Sequence, residues 1–257
     1  MLSKSIKNCK LLIKKLVLVI LYFVIRKVLR YNVVAFENKD NFDGNSGAIF
    51  KYLLKNYKKK SLYVWLLKDK SNLSQSYKNT FAYEHTQEAF TKDLLVYCAD
   101  YLFCDDVIIG KKRKGQSIVY LTHGVPATKN VKGIINVPEY VDYAVSTSVA
   151  TEAHNRYQFS LSDKTQSIIT GLPRTDVFGV SQNEIKKITD RDYKKVIIWL
   201  PTFRTSIYEK SRNDSSVALK YDLPLISSED DYNKINDYLQ KKQYSSDYKA
   251  SSKLYIG

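Results

Sequence analysis

At 257 residues the chain is long enough to bury a sizeable core, as one domain with part of a second. Its formal net charge of +15 points to a polyanionic partner: nucleic acid, an anionic bilayer or a phosphate-rich substrate. Cys9, Cys98 and Cys104 are scattered without metal-ligand spacing, so a zinc site is excluded and the three read as buried thiols of a reducing cytoplasm.

The first thirty residues contain Lys4, Lys7, Lys10, Lys14, Lys15, Arg26, Lys27 and Arg30 with no Asp or Glu. The apolar run between them, Leu16 to Ile25, is too short to cross a bilayer. A secretory signal would need a small-residue cleavage site, and Arg26-Lys27-Val28-Leu29-Arg30 has none. Two readings remain. One is a first helix buried in the fold; the other is a helix lying in the headgroup region of an anionic leaflet. Cations flanking both ends favour the second.

Val33 to Phe36 reads as a first strand, followed by a polar loop and a helix that Asn45 or Ser46 can cap, running to about Tyr57. Leu62 to Leu67 is a second strand and Phe81 to Tyr83 a short third. Thr86 is placed to cap a helix over Gln87 to Cys98. Tyr101 to Cys104 is the next strand, closing on Asp105-Asp106, a pair that turns attract for conformational reasons alone.

Ile118 to Leu121 is a β-branched and aromatic run that reads as a strand buried on both faces. It stops at Thr122-His123-Gly124, so His123 sits at the C-terminal end of a parallel strand, where open α/β sheets bind ligands. Gly124 removes a side chain that would otherwise block a substrate. Alone, His123 would read as a residue ending a strand in a turn. Two further strand-end motifs of the same kind follow, each with an Arg. Tyr143 to Ser146 is a strand and Ser148 to Phe159 a helix. The strand Ser167 to Thr170 then opens onto Gly171-Leu-Pro-Arg-Thr-Asp176, and Val196 to Leu200 opens onto Pro201-Thr-Phe-Arg204. Strands alternating with helices predict an α/β fold with a mainly parallel sheet. Beyond Arg204 the pattern decays, with one helix expected near Ser228 to Lys241. His85 and His154 belong to no motif, in a loop and mid-helix respectively.

His123-Gly-Val-Pro126, Gly171-Leu-Pro-Arg-Thr-Asp176 and Pro201-Thr-Phe-Arg204, in that order, resemble the motifs of the CDP-glycerol glycerophosphotransferase family, which builds teichoic acids and related capsular polymers. Val125 stands where that family usually has Thr. The resemblance runs from about Val33 to Arg204. It implies a glycosyltransferase-B-like fold with a cleft between two Rossmann-like domains. On this chain it divides the residues into 1–30, a basic amphipathic membrane-associating segment; 31–180, a Rossmann-like acceptor-side domain; 181–194, a linker; and 195–257, the start of an incomplete donor-binding domain.

The resemblance further implies CDP-glycerol as donor and a lipid-linked anionic polymer as acceptor, with no cofactor, no metal and no nucleic acid. His123 matches the family's general base, acting on the acceptor hydroxyl. Gly124, Arg174, Asp176, Thr202 and Arg204 are the substrate-binding candidates, the two arginines as phosphate ligands. Arg174 has a structural alternative, a pair with a carboxylate such as Asp176. The family's Arg-Pro-His and Asp-Tyr-Ser-Ser motifs do not occur here. The isolated chain is therefore expected to be inactive or incomplete, as a truncated gene product, one half of a split gene or a fragment, with a second chain as one source of the missing half, at the cytoplasmic side of the cell membrane. The alternative function is a non-catalytic membrane-surface binding protein that retains the acceptor-side domain.

Overall fold

The computed structural model describes residues 2–39, 41–71, 73, 75–122, 124, 130–176 and 228–241. The chain divides into two compact units, Met1–Gly179 and Val180–Gly257. In the second unit the described element is an amphipathic helix, Glu229–Lys241, opened by Ser228, whose hydroxyl and amide both bond the Asp231 carboxylate. The expected strand Val196 to Leu200 and the linker 181–194 lie outside the described residues.

The first unit opens with helix α1 (Leu2–Phe23), which ends in a π-helical turn, Val24–Val28. There follow β1 (Asn32–Asn38), α2 (Gly44–Asn56), β2 (Ser61–Leu67), β3 (Thr80–Glu84), α3 (Phe90–Cys98), β4 (Tyr101–Cys104), β5 (Ser117–Tyr120), β6 (Tyr143–Ser146), α4 (Val149–Gln158) and β7 (Gln166–Ile169). All strands are parallel, in the order β3-β2-β1-β4-β5-β6-β7. The chain lays β1, β2 and β3 outward in one direction. It then returns past β1 to start β4 on the other side, which opens a crevice above β1 and β4 at the carboxyl ends of the strands.

Alternation along the strands sends side chains to two buried faces. Phe36, Tyr63 and Trp65 pack with Phe42 and Phe50 under α2, and the Phe36 ring stacks on Trp65 at 4.9 Å and on Phe103 at 5.6 Å. Val33, Ala35, Val64, Leu102, Ile118 and Tyr120 form the opposite face with Leu95, Val96 and Cys98 of α3. Each fully buried Val, Leu, Ile or Phe among them contributes about 1.5–3 kcal/mol. This is why β1 and β2 read as unbroken apolar runs.

α1 docks along α3 by one stripe. Leu18 is buried, Tyr22 meets Tyr97 edge-on at 6.0 Å, and Lys14 pairs with Asp93. At its lower end, Asp100 accepts from Arg26 and, at 2.7 Å, from Arg113, whose guanidinium lies 4.6 Å over the Tyr22 ring. The other side of α1 exposes Leu12, Leu16, Ile20 and Phe23, at 65, 61, 54 and 58 %. α1 is thus attached to the fold without being buried in it.

Two expected helix starts differ. α2 begins at Gly44 with Asp43 in the capping position, leaving Asn45 and Ser46 inside its first turn with their side chains turned to other strands. α3 begins at Phe90 rather than Gln87, because Gln87 closes the turn after β3: its amide donates to the Glu84 carbonyl and its side-chain oxygen accepts from Lys70. Cys9 is exposed, contrary to expectation, while Cys98 and Cys104 are buried.

Burial pushes the Cys98 thiol up to about 11, against the opposing pull of Arg113 and Arg26, and pushes Cys104 higher still. Both stay protonated in the native state where an unfolded thiol, at about 8.5, would ionise. Their contribution to stability is therefore complete below that pH and is lost as pH rises toward 11. Iodoacetamide at pH 8 should label Cys9 in the native protein and reach Cys98 and Cys104 only after denaturation. Rapid native labelling of Cys104, read by peptide mass spectrometry, would contradict this packing.

Candidate functional site

Above the crevice, the carboxyl ends of β1, β4, β5 and β7 meet the first turn of α2. Asp105, just past β4 and 2 % exposed, accepts the Ser46 amide at 3.1 Å and the Asn38 side-chain amide at 2.9 Å. A helix N-terminus at this point of an open α/β sheet presents unpaired amides to an anion. Here the protein's own carboxylate occupies that position. The fit depends on Gly44: its φ is +71°, and a Cβ there would stand 2.5 Å from Asp105 Oδ2. The Asp105-Asp106 pair, unremarkable in the sequence as a turn, is structural on this count.

Glu37, at the end of β1, is fully buried on the other face of the sheet. Its Oε2 accepts the Asp106 amide at 2.8 Å, and its Oε1 faces His85 Nε2 at 3.3 Å. Burial first, then the carboxylates of Asp106, Glu37 and Asp105, push the Tyr120 phenol upward, so it stays neutral. Among the described residues no group of three or more His, Cys, Asp or Glu side chains is arranged to hold a metal ion.

The first motif leaves β5 through Thr122, which is 1 % exposed and has φ +58°. A β-branched residue in the left-handed region costs about 1–3 kcal/mol, and surrounding contacts have to hold it there. They are the Asn45 side-chain amide, donating to the Thr122 carbonyl at 2.8 Å, and the Val145 carbonyl, accepting from Oγ1 at 3.4 Å. His123 lies outside the described residues. Gly124 has φ +133°, a conformation closed to side chains in general. A Cβ there would meet Arg174 Nη2 and Leu172 Cδ1 at 3.8 Å, which is ordinary contact. Backbone conformation by itself therefore requires a glycine here.

The second motif follows β7. Leu172 is buried against Val119, Leu121 and Val145, and anchors a 3-10 turn, Pro173–Thr175. Pro173 presets its first residue, Thr175 bonds the Leu172 carbonyl through both its amide (2.9 Å) and its hydroxyl (2.6 Å), and the Asp176 amide donates to Pro173 at 3.2 Å. The anchoring leaves Arg174 and Asp176 exposed at the rim, with the Arg174 guanidinium against Gly124. The Arg174 amide donates to Asn45 Oδ1 at 3.3 Å.

The fold thus brings together two of the predicted site residues, Gly124 and Arg174, from strands separated in the sheet by β6, with Asp176 on the same turn as Arg174. Thr202 and Arg204 lie outside the described residues. Asn45 is the residue that sequence reasoning missed. As an Asn near a helix start it carries the signal of a cap, and nothing local distinguishes the two uses. A separate concavity of about 440 Å³, lined by Phe42, Leu73, Gln75, Ser76, Tyr77, Thr80 and Ala82, lies beside β3 and includes none of the motif residues.

The wall teichoic acid polymerase TagF has a similar fold. A variant of TagF soaked with CDPG superposes with a TM-score of 0.51 at 17% sequence identity, over 72% of this chain and 53% of that one. Another TagF structure gives 0.50 at 17% identity, over 72% and 51%. At this identity the likeness is one of fold, and the chain spans about half the length of the solved structures it matches. No curated protein matches the chain. The family profile described as CDP-Glycerol:Poly(glycerophosphate) glycerophosphotransferase matches residues 19–245. Over nearly all of its length, and with the first two motifs meeting at the carboxyl edge of a parallel sheet, the chain belongs to that family.

Proposed function

We propose that this chain serves the transfer of glycerol phosphate from CDP-glycerol to a membrane-linked polymer acceptor in teichoic acid or capsule synthesis. Family membership supports the reaction class, and the observation that carries the site is the Arg174 guanidinium against Gly124, two residues past Thr122. In the reaction a terminal hydroxyl of the acceptor attacks the β-phosphorus of CDP-glycerol. One P–O bond forms, the bond to CMP breaks, and the hydroxyl proton passes to the His123 imidazole, whose ordinary titration range suits it to that task. Phosphoryl transfer depends chiefly on positioning and charge neutralisation. Arg174 at the rim is suited to bind acceptor or donor phosphate as a bidentate ligand. Thr202 and Arg204 are assigned to the donor phosphates by their motif alone. Residues 1–257 contain neither Arg-Pro-His nor Asp-Tyr-Ser-Ser, so we infer that these residues by themselves perform the transfer poorly and that the donor clamp needs groups beyond them.

The same reading places the protein on the cytoplasmic surface of the cell membrane. Among the described residues, no helix is long and apolar enough to cross a membrane. α1 instead offers an apolar stripe of Leu12, Leu16, Ile20 and Phe23, with Lys15, Lys27 and Arg30 also exposed. A helix of that kind suits the headgroup boundary of an anionic leaflet, where each cation near the surface adds about 1 kcal/mol.

Purified chain should bind a soluble glycerol-phosphate oligomer in low salt, and Arg174→Ala should weaken that binding about tenfold or more, the worth of a charge-assisted hydrogen-bond pair. With labelled CDP-glycerol and a lipid-linked primer, the chain alone should label little polymer. Strong labelling that His123→Ala lowers by about two to four orders of magnitude would leave the reaction standing and remove the need for groups beyond residues 1–257. Absence of both oligomer binding and labelling would overturn the proposed function.

In flotation with anionic vesicles the intact chain should rise with the lipid, and about 0.5 M salt should weaken the association. Leu16→Asp combined with Ile20→Asp should abolish it with little change in melting temperature, because both side chains face away from α3. Retention of this double variant on vesicles would rule out α1 as the anchor.

A further inference from the structure

We propose that Asn45 is a positioning residue for the transfer site, tying the backbone that leads into His123 to the backbone that carries Arg174. Its side chain is 1 % exposed and spans two distant segments, donating from Nδ2 to the Thr122 carbonyl at 2.8 Å and accepting at Oδ1 from the Arg174 amide at 3.3 Å. The linked residues stand 77 and 129 positions away in the sequence. One side chain of the β1–α2 junction thereby bonds the backbone of both motif loops.

The chemistry restricts this position to a carboxamide. One group has to donate to a carbonyl and another, about 2.3 Å away on the same short side chain, has to accept from an amide. Asp can only accept when ionised, Ser offers a single atom, and Gln would overreach by one methylene. An Asn in the first turn of a helix ordinarily turns back on its own backbone. Here that option is closed, because Asp105 already takes the Ser46 amide of the same turn and frees Asn45 to reach across the sheet. The contact falls where the backbone most needs holding, at Thr122 with its φ of +58°. A slip at Thr122 would move His123, its neighbour in the chain, and a slip at Arg174 would move the guanidinium against Gly124. Asn45 thus ties the Thr122 backbone, which precedes His123 in the chain, to the Arg174 backbone without touching substrate, the role of a supporting contact behind a reacting group.

This inference rests on the proposal that His123 and Arg174 serve the transfer. Two of its measurements need no substrate, so its failure and the failure of that proposal are distinguishable. The first is hydrogen exchange of the Arg174 amide; the second is the NMR pH titration of the His123 imidazole, one of three in the chain. Asn45→Ala should accelerate Arg174 amide exchange about ten- to a hundredfold and displace the His123 titration curve. Asn45→Asp, which keeps the shape and the acceptor but loses the donor, should retain Arg174 protection and still displace the His123 curve. It also serves if the alanine variant does not fold. Asn155→Ala removes an equally buried Asn, bonded to Ser146 Oγ at 3.2 Å, and should lower stability while leaving both signals in place. Where the chain binds the glycerol-phosphate oligomer, Asn45→Ala should weaken binding about tenfold and Asn155→Ala should not. Unchanged exchange and titration in both Asn45 variants would overturn the inference, as would equal changes in Asn155→Ala or loss of Arg174 protection alone in Asn45→Asp.

Discussion

Between β1 and β4 the strand order reverses, and the Asp105 carboxylate lies in the resulting gap on the first turn of α2. A parallel sheet wound in both directions leaves one helix N-terminus pointing at that gap, and its amides require an anion. In a dinucleotide-binding domain the anion is a pyrophosphate. Here Asp105 takes the Ser46 amide of that turn from inside the protein, and Gly44 makes room for it. The rest of the crevice follows from that substitution. The two residues after Gly44 turn to neighbouring segments: Ser46 Oγ bonds the Glu37 carbonyl at 3.0 Å, and Asn45 bonds the two motif loops.

The opposite edge of the sheet is held by a different device. Asp100 collects Arg26 and Arg113, and Arg113 also donates to the Tyr97 carbonyl at 2.8 Å and to the Ala99 carbonyl at 3.1 Å. Exposed ion pairs are worth little, about 0–1 kcal/mol, but these guanidiniums are largely covered and joined to backbone acceptors. The network fastens α1 to the domain along the Leu18–Tyr22 stripe while the remaining apolar side chains stay outward. An apolar helix face kept in solvent by a firm attachment is a costly arrangement in water. It becomes favourable at a bilayer surface, which is the environment proposed for it.

Much of the sheet was legible in the sequence because its physical signal is local. β4 and β6 fall on the residues expected, and α4 begins at Val149 behind Ser148, whose hydroxyl and Thr151 form a reciprocal cap. β1, β2 and β3 each extend one residue or more beyond their apolar runs, because pairing with neighbours continues after hydrophobicity stops. The start of α3 lies three residues after Gln87 because a tertiary contact from Lys70 holds the Gln87 side chain in the turn after β3.

By itself the sequence determined the α/β class, the strand and helix order and the strand-end motifs, since periodicity and turn chemistry act over a few residues. It also determined the family, through motifs whose spacing survives at low identity. Only the tertiary structure decided the strand order and the meeting of Gly124 with Arg174. It alone showed the backbone conformation that requires a glycine at Gly124, and turned Asn45 from a helix cap into a bridge. Those properties depend on side chains that meet across 50 to 129 residues of chain, and a carboxamide that bonds its own helix is written with the same letter as one that bonds two distant loops.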